Sequence, residues 1–276
     1  MRKKLEFVSH GQPYQLEIPA VMGIINCTPD SFLSESRYQL DMQNKIQLWI
    51  AMGVDILDVG GQSTRPGAEY IDADTEWSRV EPVLLWIRKT FPQQIVSIDT
   101  FHPEVARKGL MLGVHIINDV SAGQWVDGMQ EVINAFEAPY ILMHAQGNPQ
   151  TMQANPTYAN VVQDIIFFFQ NKIEAILESK PNAQLWIDPG FGFGKNFEHN
   201  QTLLQNLNEL SALNYPILAG LSRKKMIQTT LNVSAEDAQL GSTLAHLLAV
   251  VKGASIIRTH DVEACITLKK IFNTFN

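Results

Sequence analysis

The chain has 276 residues, of which 45% are hydrophobic, 9% aromatic and 18% charged, the profile of one packed globular domain and not of a disordered or fibrous chain. A formal net charge of −7 argues against a nucleic-acid surface, although an acidic shell can still hold a locally basic pocket for an anionic metabolite. No apolar run reaches the ~18 residues of a membrane span, the opening MRKKLEFVSHGQPYQLEIP lacks a signal peptide's apolar stretch, and Cys27 and Cys265 show no zinc or disulfide spacing, so a cytoplasmic protein with reduced thiols and no membrane or nucleic-acid partner is expected.

Residues 5 to 18 read as a β-hairpin, LEFV then HGQ then YQLEI, laid outside the main body and given no chemistry. Short apolar runs then alternate with helical segments. The candidate strands are VMGII (21 to 25), DILDV (55 to 59), IVSID (95 to 99), HIIND (115 to 119), YILMH (140 to 144), LWID (185 to 188), ILAGLS (217 to 222) and SIIRT (255 to 259), most of them too apolar to be half exposed. Between them the apolar period lengthens to 3.6, as in Met42, Ile46, Trp49, Ile50 and in Trp77, Val80, Leu84, Ile87. Gly53, Gly113 and Gly253 close helices just before the next strand, Pro92 ends another, and the aromatic run Phe167 to Phe169 falls in a helix over 158 to 178, where it reads as packing. Eight such units suit the ~250 residues of a (β/α)8 TIM barrel. The expectation is therefore a single domain over 1–276, with an N-terminal β-hairpin over about 1–19 and a barrel over about 20–276.

In such a barrel the loops after the strands build the active site. Here they offer Asn26, then Asp58 with Ser63, Thr64 and Arg65, then Asp99, Asn118 with Asp119, His144, Asp188, Ser222 with Arg223 and Lys224, and last Arg258, His260 and Asp261. A lone Asn or Asp after a strand is usually a turn or cap residue, but polar groups at eight exits imply a polar guest, because an unsatisfied buried group costs roughly 1 to 3 kcal/mol. Arg65, Lys224, Arg258 and His260 form a cationic set suited to phosphate. Asp99, Asn118 and Asp188 suit a flat, donor-rich heterocycle. The glycine-rich GFGFGK at 190 to 195 lacks the Ser or Thr of a phosphate loop, shows no obvious following helix, and is taken as a tight loop.

Taken as strings, the exits give MGIINCTPDSF (22 to 32), DVGGQSTRPGA (58 to 68), SIDT (97 to 100), INDV (117 to 120), LMHAQGNPQTMQ (142 to 153), DPGFGFGK (188 to 195), GLSRKKMI (220 to 227) and IIRTHDV (256 to 262). In this order, over about 21 to 262, they resemble the dihydropteroate synthases of folate biosynthesis, the target of sulfonamides. The resemblance implies that Asp99, Asn118, Asp188 and Lys224 hold the pterin, with Arg258 stacked near it. It places Asn26 at a Mg²⁺ ion and Thr64, Arg65 and His260 around the substrates' diphosphate end, while Thr64, Pro66, Phe193 and Ser222 surround p-aminobenzoate. Asp99, Lys224 and Arg258 are then the catalytic candidates, the partners are dihydropterin diphosphate and p-aminobenzoate, and a homodimer is the family expectation. The implied chemistry is a dissociative substitution: Mg²⁺ and fixed cations take up charge on the departing diphosphate while an anionic Asp99 steadies the pterin methylene cation.

The chain departs from the family at SFLSES, where Ser34 stands at an acidic position and Glu35 is displaced by one, at Gln62 in place of a frequent Glu, and at Ala145 in place of a frequent Met. Two other readings compete: a pterin-binding methyltransferase, against which TRPG and SRK weigh, and a barrel that binds pterins without catalysis.

Overall fold

The computed structural model of the chain describes residues 4–28, 35–63, 67–147, 150–152 and 155–275. Two antiparallel strands, β1 (Lys4–Ser9) and β2 (Gln12–Glu17), come first. His10 and Gly11 turn between them with φ of 50° and 69°, the left-handed pair that matches strand twist. Eight parallel strands follow: β3 (Ala20–Asn26), β4 (Ile56–Gly60), β5 (Ile95–Asp99), β6 (Ile116–Asp119), β7 (Tyr140–Met143), β8 (Leu185–Asp188), β9 (Leu218–Ala219) and β10 (Ile256–Thr259). Their order is β8-β7-β6-β5-β4-β3-β10-β9, and a single bridge between Ile187 and Ile217 joins the two ends into a ring. Around it pack α1 (Glu35–Met52), α2 (Ala73–Thr90), α3 (Pro103–Met111), α4 (Met129–Ala135), α5 (Val161–Ser179), α6 (Phe197–Gln205), α7 (Lys225–Leu231), α8 (Gln239–Val251) and α9 (Val262–Phe275). The expected (β/α)8 barrel with an N-terminal hairpin is what the chain forms.

The stripes read from sequence face inward: Ile46, Val80, Leu84 and Ile87 are fully buried. Gly53, Gly113 and Gly253 take φ of 92°, 88° and 104°, so each helix does end on a left-handed residue. Phe169 is buried while Phe167 is 63% exposed, as one helical face requires. α5 starts at Val161 and not at 158 because the Asn160 side chain accepts the N–H groups of Val162 and Gln163.

Three further boundaries or placements differ from the expectation. β9 pairs over two residues only, because the Leu221 N–H leaves the sheet for His246 Nε2 at 3.1 Å and Arg223 turns left-handed at φ 56°. A helix does begin just after Lys195: Asn196 caps α6, and His199 reaches back to it in a capping box that Asn and His seldom signal. The hairpin lies outside the ring yet closes its lower end, with Leu5, Phe7 and Leu16 buried against Met22, Trp186 and Ile256. Such a plug removes the apolar strand starts from water at roughly 25 cal/mol per Å². Among the described residues no helix is long and apolar enough to cross a membrane, and both cysteines are free and buried.

Candidate active site

At the upper end of the ring the polar strand exits converge, and the residue that organises them is Asp58. Its side chain is fully buried on β4, and its Oδ2 accepts both Arg258 Nε at 2.6 Å and Asn118 Nδ2 at 3.0 Å. Among the described residues no donor reaches its buried Oδ1. Arg258 rises from β10 and crosses β3, its Nη2 donating to Asp99 Oδ2 on β5. One guanidinium thus ties three strands, bonded in the forked geometry that lysine cannot supply. Burial works against the Arg258 charge, but Asp58 and Asp99 hold it well above the usual arginine range.

Asp99 and Asp188 are the carboxyls left to face a ligand. Burial raises Asp99 to about 7, with Arg258 opposing and Asp58 and Asp119 reinforcing the rise. Burial likewise raises Asp188, whose Oδ1 accepts the Gly190 N–H at 2.7 Å. Opposite stands Lys224, the residue that caps α7: burial lowers it to about 8 against the pull of Asp188, and its ammonium sits 4.1 Å from the Phe193 ring centroid. Buried carboxyls shifted up and a buried ammonium shifted down, gathered beside an amide in one concave mouth, mark a candidate binding and reacting centre.

The rim differs from expectation in its charge. His260 does not act as a cation in this mouth, because burial first, then Arg258, Arg223 and Lys45, push it down to about 3. Its Nδ1 and its backbone N–H both lie 3.2 Å from Ser222 Oγ, so Ser222 is tied to His260. Asp261 instead pairs with Arg223 through contacts of 2.5 and 3.2 Å. Asp119 and His144 also serve the frame: Asp119 accepts from Ser121, Gly123 and Tyr140, and His144 meets Lys195. Asn26 ends β3 exposed at the mouth. Thr64, Arg65, Pro66 and Ser34 lie outside the described residues.

Gln62 ties together the loop that follows β4. Its Nε2 donates to Ser63 O at 2.6 Å and Glu69 O at 2.9 Å, and its Oε1 accepts the Ile71 N–H at 2.9 Å. A glutamate carboxylate could not donate to those carbonyls. Beside the clamp stands an apolar wall of Phe101, Val120 and Met143, with Trp125, Ala145 and Phe193 packed on it. Ala145 is thus surrounded by larger apolar neighbours. Sequence reasoning placed Asp58 among the exits without a role and missed Phe101, Trp125 and the buried Glu76. The carboxylate of Asp58 on a short buried strand was the one available signal, since isolated loop aromatics carry no pattern.

Fold and mouth together define a class, a barrel enzyme whose strand exits gather buried carboxyls, an amide, Arg258 and Lys224 into one polar mouth. Residues 22–260 match the family of pterin binding enzymes. The dihydropteroate synthase of Haemophilus influenzae is 39% identical over 97% of this chain and 98% of its own, and that of Escherichia coli strain K12 is 39% identical over 97% and 95%. Among solved structures, the Yersinia pestis dihydropteroate synthase with a sulfonamide drug superposes with a TM-score of 0.91 at 37% identity, covering 98% of each chain. The Xanthomonas albilineans synthase with 4-aminobenzoic acid gives 0.89 at 35% over 99% and 98%, and the Burkholderia cenocepacia synthase with 7,8-dihydropteroate 0.87 at 34% over 98% and 95%. The chain belongs to the dihydropteroate synthase family of pterin-binding enzymes.

Proposed function

We propose that the mouth condenses (7,8-dihydropterin-6-yl)methyl diphosphate with p-aminobenzoate, giving 7,8-dihydropteroate and diphosphate in folate biosynthesis, and that the residues above divide the work. The observation that carries this reading is the clamp of Asp58, Arg258, Asp99 and Asn118 facing Asp188 and Lys224 across one mouth. Asp99, Asn118 and Asp188 hydrogen-bond the aminopyrimidinone edge, Lys224 donates to the ring, and Arg258 lies along it. Thr64, Arg65 and His260 hold the diphosphate. Thr64, Pro66, Phe193 and Ser222 border p-aminobenzoate.

As the C–O bond to diphosphate breaks, its electron pair leaves with the diphosphate, and the methylene cation delocalises into the dihydropterin. Asp99 in its ionised form stabilises that cation, the arylamine nitrogen attacks from the Phe193 side, and the secondary ammonium so formed gives its extra proton to the departed diphosphate or to water. No strong base is required, so orientation inside the mouth supplies much of the rate. Lys224 and Arg258 hold the ring against rotation during departure.

The donor set suits Mg²⁺: an amide oxygen from Asn26 is a hard neutral ligand, and this ion keeps most of its shell as water and substrate phosphate. When bound it neutralises charge on the leaving diphosphate.

The finer reading extends to assembly and place. Leu240, Leu244, Leu248 and Val251 form an exposed stripe at helical spacing on α8, between 53% and 71% accessible, which supports a homodimer formed through that face. Sedimentation of Leu244→Glu as a monomer, with the parent a dimer, tests it. Two free, buried thiols suit the cytoplasm. The function itself is tested by incubating the protein with the dihydropterin diphosphate, labelled p-aminobenzoate and Mg²⁺. Labelled dihydropteroate is the expected product, and its absence overturns the reading.

A further inference from the structure

Lys195 is 3% exposed, lies at the end of the glycine-rich loop, and takes no part in the reaction derived above. Its ammonium is 2.9 Å from Gly190 O, 3.0 Å from Phe193 O and 3.0 Å from His144 Nδ1, with His144 O at 3.4 Å. An ammonium has three protons and no lone pair, so these partners saturate it and His144 Nδ1 accepts. His144 is neutral, pushed down to about 2 by burial and then by Lys195. No carboxylate hydrogen-bonds Lys195 among the described residues. A buried cation held by neutral acceptors is costly, and burial lowers Lys195 to about 7.

An apolar side chain would fill that space more cheaply, so the acceptors explain the lysine. Gly190, Gly192 and Gly194 take φ of 69°, 81° and 62°, an alternation that turns the carbonyls of 190 and 193 toward one point. The loop lies flush on the exit of β7: a Cβ on Gly190 would sit 2.0 Å from His144 O, and one on Gly194 2.5 Å from Gln146 O. Its far side is fastened by Asn200, which accepts the Gly192 N–H at 2.7 Å and donates to Lys195 O at 3.1 Å. The side chain this frame carries to the mouth is Phe193, with the Lys224 ammonium over its ring.

We propose that Lys195 is a positioning residue that fixes the Phe193 ring as the wall against p-aminobenzoate, acting through the backbone of residues 190–194. This rests on the reading that Phe193 borders the arylamine. The Asp188 backbone keeps its place in β8 through strand pairing and its Oδ1 meets the loop only at the first residue, Gly190, so loss of the ammonium falls chiefly on residues 191–194 and the arylamine side of the mouth.

The test compares steady-state constants of Lys195→Met and the milder Lys195→Gln with those of the parent. The expected result is a roughly ten- to hundredfold rise in KM for p-aminobenzoate, with KM for the dihydropterin diphosphate within about twofold. Because the effect runs through Phe193, Lys195→Met combined with Phe193→Leu raises that KM no further than the worse single variant. Asn200→Ala, which loosens the same loop from outside, shifts the same constant in the same direction. Equal rises in both KM values, a fall in kcat alone, or additive effects in the double variant overturn the proposal. So does failure of both Lys195 variants to fold, which would make the residue a support of the fold. A parent protein that forms no dihydropteroate would instead sink the reading on which the inference rests.

Discussion

Replacing Asp58 by asparagine removes a charge while keeping a shape. The carboxylate uses one oxygen, Oδ2, for both Arg258 and Asn118, so an amide oxygen in that place can still accept both bonds. What vanishes is an anion buried against a guanidinium. Removing one partner of a buried ion pair costs about 3–5 kcal/mol. Arg258 keeps Asp99, and its side chain is 22% exposed, so the lower end applies, roughly 3 kcal/mol. At roughly 2–4 °C per kcal/mol for a domain of this size, the melting temperature falls by roughly 6–12 °C. Arg258 loses the anion that fixes its guanidinium, so kcat/KM for the pterin substrate falls by roughly 30- to 100-fold, the scale of a misplacement near 1 Å. Differential scanning calorimetry at neutral pH and initial rates with the pterin substrate varied measure both numbers. A melting point within about 1 °C of the parent's, with the pterin KM unchanged, refutes the placement of Asp58 at the centre of the clamp.

Glu76 predicts a pH dependence of stability. It is fully buried, its Oε2 accepts the Thr100 hydroxyl at 2.8 Å, and burial raises its carboxyl to about 8, with the Thr100 bond opposing and Asp99 adding to the rise. The folded chain keeps this proton to a higher pH than the unfolded chain, so the contribution is full below the ordinary carboxyl range and is lost as pH rises through about 8. Glu76→Gln cannot titrate, and its melting temperature should therefore fall less than the parent's between about pH 6 and 9; equal slopes would show that Glu76 is not the titrating group. Gly11 and Gly190 share a φ of 69°, but a Cβ meets nothing within 4 Å at Gly11 and the His144 carbonyl at 2.0 Å at Gly190. Gly11→Ala is expected to cost about 1 kcal/mol and Gly190→Ala at least about 3 kcal/mol, measured by thermal melts of both; similar losses would show that the clash at Gly190 costs nothing.

The barrel was legible because its strands are short, apolar and evenly spaced, and because polar groups cluster at one end of each. Asp99, Asn118, Asp188, Lys224 and Arg258 stand out in the sequence for that reason, and the structure brings them into one mouth. Which of them bond to one another was not legible. Arg258 reaches Asp58 across a strand that lies between them only in the ring order, 200 residues away in sequence. Charge states were equally hidden: His260 reads as a cation in sequence and becomes neutral through burial and the neighbouring Arg258, Arg223 and Lys45. The hairpin's alternation announced two strands but not the barrel floor they cover, since a floor is made by eight strand starts that no local pattern joins.

The ring closes between β8 and β9 by one bridge, Ile187 to Ile217. Asp188 follows the first of these residues, and Lys224 stands just beyond the second strand. A ligand held by both side chains therefore works as a staple across a seam, and its binding free energy appears as cohesion of the whole cylinder. The substrate is in this sense a missing piece of sheet, and an inhibitor that spans the same gap stiffens the protein as it blocks it.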